Sequence, residues 1–207
     1  QQYRMSFVEP WLGNKKPNSL SVSLYKSITS NGQTGENRQA VELSGFTIGL
    51  GQRLKNPDDY FTIYNGINFQ QYELINSQSF FSFSNGFSNN INYEVRLGRN
   101  SIDQLVYPRS GSNFSLSLKL TPPYSMFEKK DYNSIGDQEK FKWIEYYKWN
   151  FKSAWYSSFT EKLVLNTKLE MGLLGAYNNQ LGIAPFERFY VGGCLLYTSD
   201  AADDVEC

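Results

Sequence analysis

The chain has 207 residues, with 20 basic and 20 acidic side chains, no histidine and two cysteines. That length suffices for one domain with a sizeable core, and the even charge, with no basic patch, argues against a nucleic-acid binder. The missing histidine removes the usual serine triad and the commonest metal ligand. Mean hydropathy is −0.50, which suits either a soluble protein or a transmembrane β-barrel, half of whose wall faces a polar lumen. No run approaches the ~18–20 apolar residues of a membrane helix.

Eight stretches alternate apolar and polar residues, the period of a two-faced β-strand. The first is predicted over Gln2 to Glu9, with Tyr3, Met5 and Phe7 on one face. A turn through Pro10, Gly13, Asn14 and Pro17 leads to a second strand, Ser19 to Ile28, where Leu20, Val22 and Leu24 oppose Ser19, Ser21 and Ser23. After the polar loop Asn31 to Asn37, a third strand runs from Gln39 to Arg53, and its Gly45, Gly49 and Gly51 mark bends or close backbone approaches. The turn Asn56-Pro57-Asp58-Asp59 precedes a fourth strand, Tyr60 to Leu74, with Phe61, Ile63, Ile67 and Phe69 aligned.

Ile75 to Asn90, rich in Ser, Asn and Phe, reads as a long loop. Strand five is predicted over Ile91 to Asn100 and strand six over Asn113 to Thr121, where Phe114, Leu116, Leu118 and Leu120 share a face. Pro122-Pro123 stops it. Strand seven is predicted over Phe141 to Tyr156, with Phe141, Trp143, Tyr147, Trp149, Phe151 and Trp155 on one face and Glu145 as an acidic exception among them. Strand eight follows over Leu163 to Tyr177.

Eight such strands without intervening helices predict an all-β, antiparallel up-and-down meander. The charges Glu94, Arg96, Lys119, Lys168 and Glu170 recur on one face, and large aromatics on the other. Solvent outside an ordinary sheet explains such charges as well as a wet lumen does. Strands of ~9–11 residues, with tight turns at one end and long loops at the other, favour the membrane. Phe114, Trp143, Trp149 and Trp155 are then the lipid-facing aromatics; in a soluble β-sandwich binding module they would pack on a second sheet.

No catalytic constellation is visible. Gly111 between Ser110 and Ser112 is not a nucleophile elbow, and Gly49-Leu50-Gly51 lacks a third glycine and a following helix. Asp58-Asp59 is turn chemistry rather than a cation site. The expectation is a protein without enzymatic activity, cofactor or metal.

Four segments carry a family resemblance: SFVEPWLGNKKPNSLSVSLY (Ser6 to Tyr25), GRNSIDQLVYPRSGSNFSLSLKLTPP (Gly98 to Pro123), KWIEYYKWNFKSAWY (Lys142 to Tyr156) and PFERFYVGG (Pro185 to Gly193). In this order they resemble the C-terminal barrel domain of the BamA-like outer-membrane protein insertases, the bacterial surface antigen family. The turn Asp103…Tyr107-Pro108-Arg109-Ser110-Gly111 and the PFERFYVGG segment are its most specific parts. Pro and Gly close the turn, and Asp103 can accept hydrogen bonds or pair with Arg109. Phe186, Glu187, Phe189, Tyr190, Gly192 and Gly193 match the opening of the family's long loop that folds back into the lumen; the Arg motif later in that loop is missing here.

The resemblance implies that residues 1–193 are a partial outer-membrane barrel domain, about strands four to eleven of roughly sixteen. It implies outer-membrane lipid, client β-barrel proteins and assembly lipoproteins as partners of the parent, and no nucleic acid. A related translocation pore for secreted or surface proteins would need the same wall. The start at Gln1-Gln2-Tyr3, inside a strand pattern, reads as the middle of a longer protein. Cys194 to Asp204 resembles the translation of a transposase adapter used in DNA library preparation, so 194–207 is expected to be a non-native tail, and it holds both cysteines. Without its four acidic residues the balance is 20 basic against 16 acidic, or +4.

Overall fold

The computed structural model describes residues 1–13, 18–76, 83–127, 135–160, 162–178, 182 and 187–189. Eight strands fall within them: β1 (Gln2–Glu9), β2 (Asn18–Ser30), β3 (Ala40–Arg53), β4 (Phe61–Ile75), β5 (Gly86–Asn100), β6 (Gly111–Leu120), β7 (Tyr147–Ser158) and β8 (Val164–Gly175). They form one sheet in chain order, each antiparallel to the next. The expected meander is what the chain adopts. Among the described residues β1 pairs with β2 alone and β8 with β7 alone, so the sheet is open.

Directly paired residues share a face, so the register carries each face across the wall. One row reads Phe7, Val22, Ile48, Ile67, Tyr93, Leu120 and Tyr147. The next reads Leu20, Leu50, Asn65, Val95, Leu118, Trp149 and Leu173. Asn65 is the polar member of that row, and it accepts a 2.8 Å hydrogen bond from the Tyr93 hydroxyl on the same face. The opposite face reads Ser23, Thr47, Asn68 and Asn92, and beside it Gly66, Glu94, Lys119 and Lys148.

Phe114, Leu116, Trp149 and Leu165 lie on the apolar face, and among the described residues no second sheet covers them. Met5 is 74% exposed, Met171 60% and Leu165 49%. A contiguous apolar surface of this extent is not stable against water. The soluble-sandwich reading is therefore overturned, because the layer it requires is absent from the described fold.

The connections at one end of the sheet are 10–17, 54–60, 101–110 and 159–163; at the other they are 31–39, 76–85 and 121–146. The expected contrast of short and long rests mainly on the last of these. Residues 121–146 carry two short helices, α1 (Tyr124–Phe127) and α2 (Asp137–Lys140).

Two strand boundaries depart from expectation. β5 begins at Gly86, not Ile91. Ser88 and Asn90 are fully buried on the inner face, where hydrogen bonds offset the poor strand propensity of Asn. β7 begins at Tyr147, not Phe141. Its partner β6 ends at Leu120 before two prolines that lack N–H groups, so a longer β7 has nothing to pair with. Residues 142–144 lean instead on the edge of β5, where Asn89 N–H donates to Lys142 O at 2.8 Å and Ile144 N–H to Asn89 O at 2.9 Å.

Trp143 is consequently not on the strand face of Trp149. It sits in the connector, its ring 5.2 Å from that of Tyr124. Glu145 is likewise off that face. It is buried, and its carboxylate accepts from Ser125 N–H at 2.9 Å and Ser125 Oγ at 2.7 Å.

Candidate functional site on the inner wall

Polar side chains on alternate positions of β2 to β5 meet across the inner face because strand neighbours lie within hydrogen-bond reach. Thr47 Oγ1 donates to Asn68 Oδ1 at 2.8 Å, and Asn68 Nδ2 to Asn92 Oδ1 at 2.9 Å. Asn92 Nδ2 donates to Asn90 Oδ1 at 3.4 Å. Gln70 Nε2 donates to the Tyr25 hydroxyl at 2.7 Å. Asn68, Asn90 and Asn92 are buried, and this chain of amides satisfies them. The predicted close approaches at Gly45 and Gly49 are present: the rings of Tyr25 and Tyr64 lie where a Cβ would stand.

Farther round the wall the inner face becomes charged. Arg96 pairs with Glu94 and stacks over the Tyr64 ring at 5.6 Å. Lys152 pairs with Glu170 at 3.1 Å. Lys119 and Lys148 stand directly opposite each other on β6 and β7.

The segment after β8 turns onto this charged patch. Lys148 Nζ donates to Glu187 O at 2.9 Å and pairs with Glu187 Oε2 at 3.3 Å. Asn90 Nδ2 lies 3.4 Å from Glu187 Oε1 and 3.4 Å from the Tyr146 hydroxyl. The Phe189 ring lies against Gly172 on β8, where a Cβ would approach it to 2.6–2.9 Å, and Lys148 Nζ stands 4.6 Å from its centroid. Of the six residues expected to open the inward loop, Glu187 and Phe189 are thus on the inner face. Phe186, Tyr190, Gly192 and Gly193 lie outside the described residues, as does the 194–207 tail.

Sequence reasoning did not single out the receiving residues, Asn90, Tyr146, Lys148 and Gly172. Lys148 alternates with Trp149 on the polar side of β7, but nothing local to it tells which segment comes to meet it.

The turn motif is a separate structure at the end with the shorter connections. Asp103 Oδ1 accepts the backbone N–H groups of Arg109 at 3.0 Å, Ser110 at 3.2 Å and Gln104 at 3.0 Å. These donors, Arg109 first, hold its carboxyl below the ordinary aspartate range. Tyr107 has φ 56° and Gly111 φ 102°, and a Cβ on Gly111 would collide with the carbonyl of Ser101. Arg109 O accepts Ser158 Oγ at 2.6 Å, which ties this turn to the neighbouring one. Of the expected outward aromatics, Phe114, Trp149 and Trp155 share the apolar face, and Trp143 does not.

The profile of the Omp85 superfamily domain matches residues 1–198. The chain belongs to the Omp85 superfamily. No curated protein matches it. Among solved structures it is similar to BamA from Haemophilus ducreyi lacking POTRA domains 1–3, with a TM-score of 0.69 at 17% identity. That alignment covers 93% of this chain and 36% of the Haemophilus chain, so the chain spans about a third of its structural relative. Membership in the Omp85 superfamily and the open antiparallel wall make this an outer-membrane β-barrel protein. The apolar surface of this Omp85 wall has its natural solvent in the bilayer.

Proposed function

We propose that the chain is the middle of the barrel wall of an outer-membrane protein assembly factor, one that folds and inserts other β-barrel proteins. The observation that carries this reading is the open sheet with one continuous apolar face and one hydrogen-bonded polar face, onto which Glu187 and Phe189 fold inward. A closed pore of eight strands would have no free edges; among the described residues β1 and β8 both have one, and lipid does not tolerate unpaired strand edges. In this reading the strands that pair with β1 and β8 belong to the parent protein.

In the proposed mechanism a client strand adds to an exposed barrel edge of the parent by backbone hydrogen bonds. Each added strand covers its own polar groups and presents a new edge. This fragment supplies the wall that keeps the edge in register with the membrane. Phe114, Trp149 and Trp155 anchor it in lipid, and the amide chain from Thr47 to Asn90 holds the polar face stiff. No covalent step is needed, so the expected partners are lipid, client barrels and assembly lipoproteins rather than a cofactor.

The test is depletion of the parent protein in cells, followed by the heat-modifiable mobility of several unrelated outer-membrane barrels. Loss of their folded forms supports the reading. Normal assembly of all of them, with loss of one secreted or surface protein, overturns it in favour of a translocation pore.

A further inference from the structure

Lys148 makes three contacts with one short segment. Its ammonium donates to the Glu187 carbonyl, pairs with the Glu187 carboxylate and stands over the Phe189 ring. Asn90 meets the same carboxylate from β5, and Gly172 leaves on β8 the space that the ring fills. Charge, a hydrogen bond and the gap left by a glycine converge from three strands on a Glu-x-Phe sequence.

The electrostatics around Lys148 favour occupation. Lys119 is its direct cross-strand neighbour, and like charges in that position repel. Glu94 stands on the far side of Lys119 from Lys148, and its Oε1 accepts from Arg96, so its charge is shared between two cations. Among the described residues Lys119 has no ion pair of its own. With Glu187 withdrawn, two ammonium groups would face each other with no free carboxylate between them.

We propose that Asn90, Lys148 and Gly172 form an inner-wall receptor for a Glu-x-aromatic segment, occupied in cis by Glu187 to Phe189, and that repulsion between Lys119 and Lys148 drives it shut. Lys148 is the positioning residue: it fixes where the chain leaving β8 runs along the lumen. Lys119 acts without touching the segment, by raising the cost of the empty state. The proposal rests on the reading of this face as a wetted lumen.

Arg188 supplies the reporter. It is exposed, but its neighbours on both sides are docked. A protease needs several residues in extended, free conformation, so trypsin cuts after Arg188 only when the segment is released. The experiment uses the complete barrel folded in detergent micelles, with the cut site identified by mass spectrometry. Heat-modifiable mobility checks separately that each variant is a folded barrel, so failure of the barrel reading is distinguished from failure of the receptor.

Lys148→Glu is expected to speed cleavage at Arg188 by about tenfold or more, because it sets two carboxylates against each other. Gly172→Val unseats Phe189 without changing charge and is expected to speed it several-fold. Lys119→Met is expected to speed it about two- to fivefold, although it removes no contact with the segment. Cleavage of folded Lys148→Glu and Gly172→Val at the wild-type rate overturns the receptor. Cleavage of Lys119→Met at the wild-type rate or slower overturns the role of the lysine pair. If Lys148→Glu does not fold, Gly172→Val and Lys119→Met decide both points.

Discussion

Val22 and Ser23 are adjacent on β2 and face opposite ways, so an arginine at each position tests which side of the wall is wet. Val22 lies in the apolar row with Phe7 and Ile48. Ser23 lies between Ser6 and Thr47 on the polar face. On β4 the apolar face runs from Phe61 to Phe69. Eight residue steps at ~3.3 Å, tilted by ~40°, give a band about 20 Å tall, close to the ~25 Å of outer-membrane barrels. On β2 itself Val22 is the central member of the apolar run Leu20, Val22 and Leu24. An arginine there is expected to cost ~2–4 kcal/mol, the midplane value for a lipid-facing cation. At Ser23 the guanidinium meets water and hydroxyl groups, and the expected cost is ~0–1 kcal/mol. A difference of 2–3 kcal/mol is a factor of ~30–150 in the folding equilibrium. The assay is urea-dependent folding of the complete barrel into lipid vesicles, read by heat-modifiable mobility. Equal costs at the two positions, or a larger cost at Ser23, would refute the assignment of faces.

Asp103 binds three backbone N–H groups as a carboxylate, so its ¹³C carboxyl titration should give a midpoint below the ~3.9 of a free aspartate; a midpoint at or above that value contradicts the turn geometry. Because the folded value is the lower one, the contribution of this turn is present above the ordinary aspartate range and is lost as pH falls through the depressed midpoint. Gly111→Ala, forced into φ 102° against the Ser101 carbonyl, should lower barrel stability by ~1–3 kcal/mol in urea, and a neutral result would mean the turn relaxes freely. Glu145→Ala should cost ~1–3 kcal/mol and speed hydrogen exchange at the Ser125 amide, which loses its acceptor; unchanged exchange there would show that this hydrogen bond is not formed.

Period-two alternation made most of the wall legible, because one face of every strand must suit hydrocarbon and the other water. β1, β2, β3, β4, β6 and β8 begin and end within two residues of where alternation places them. It failed where pairing, not pattern, sets the limit. Residues 141–146 alternate as a strand would, yet their partner stops at Leu120, and Trp143 and Glu145 fold into the connector instead. The start of β5 was hidden in the opposite way: Ser88, Asn89 and Asn90 have the composition of a loop and are held in the sheet by tertiary hydrogen bonds. At the inner wall, the Glu187 segment was visible as a motif. Its receptor was not, because Asn90, Lys148 and Gly172 come from three strands and no local spacing links them.

Nitroxide labels placed singly at positions 19 to 25 of β2, in the complete barrel in bilayers, measure the central assignment directly. Collision with dissolved oxygen should be high at Leu20, Val22 and Leu24, and collision with a water-soluble nickel chelate high at Ser19, Ser21, Ser23 and Tyr25. Uniform accessibility along the strand, or shielding of the even positions from oxygen and nickel alike, would contradict a wall with hydrocarbon on one side and water on the other.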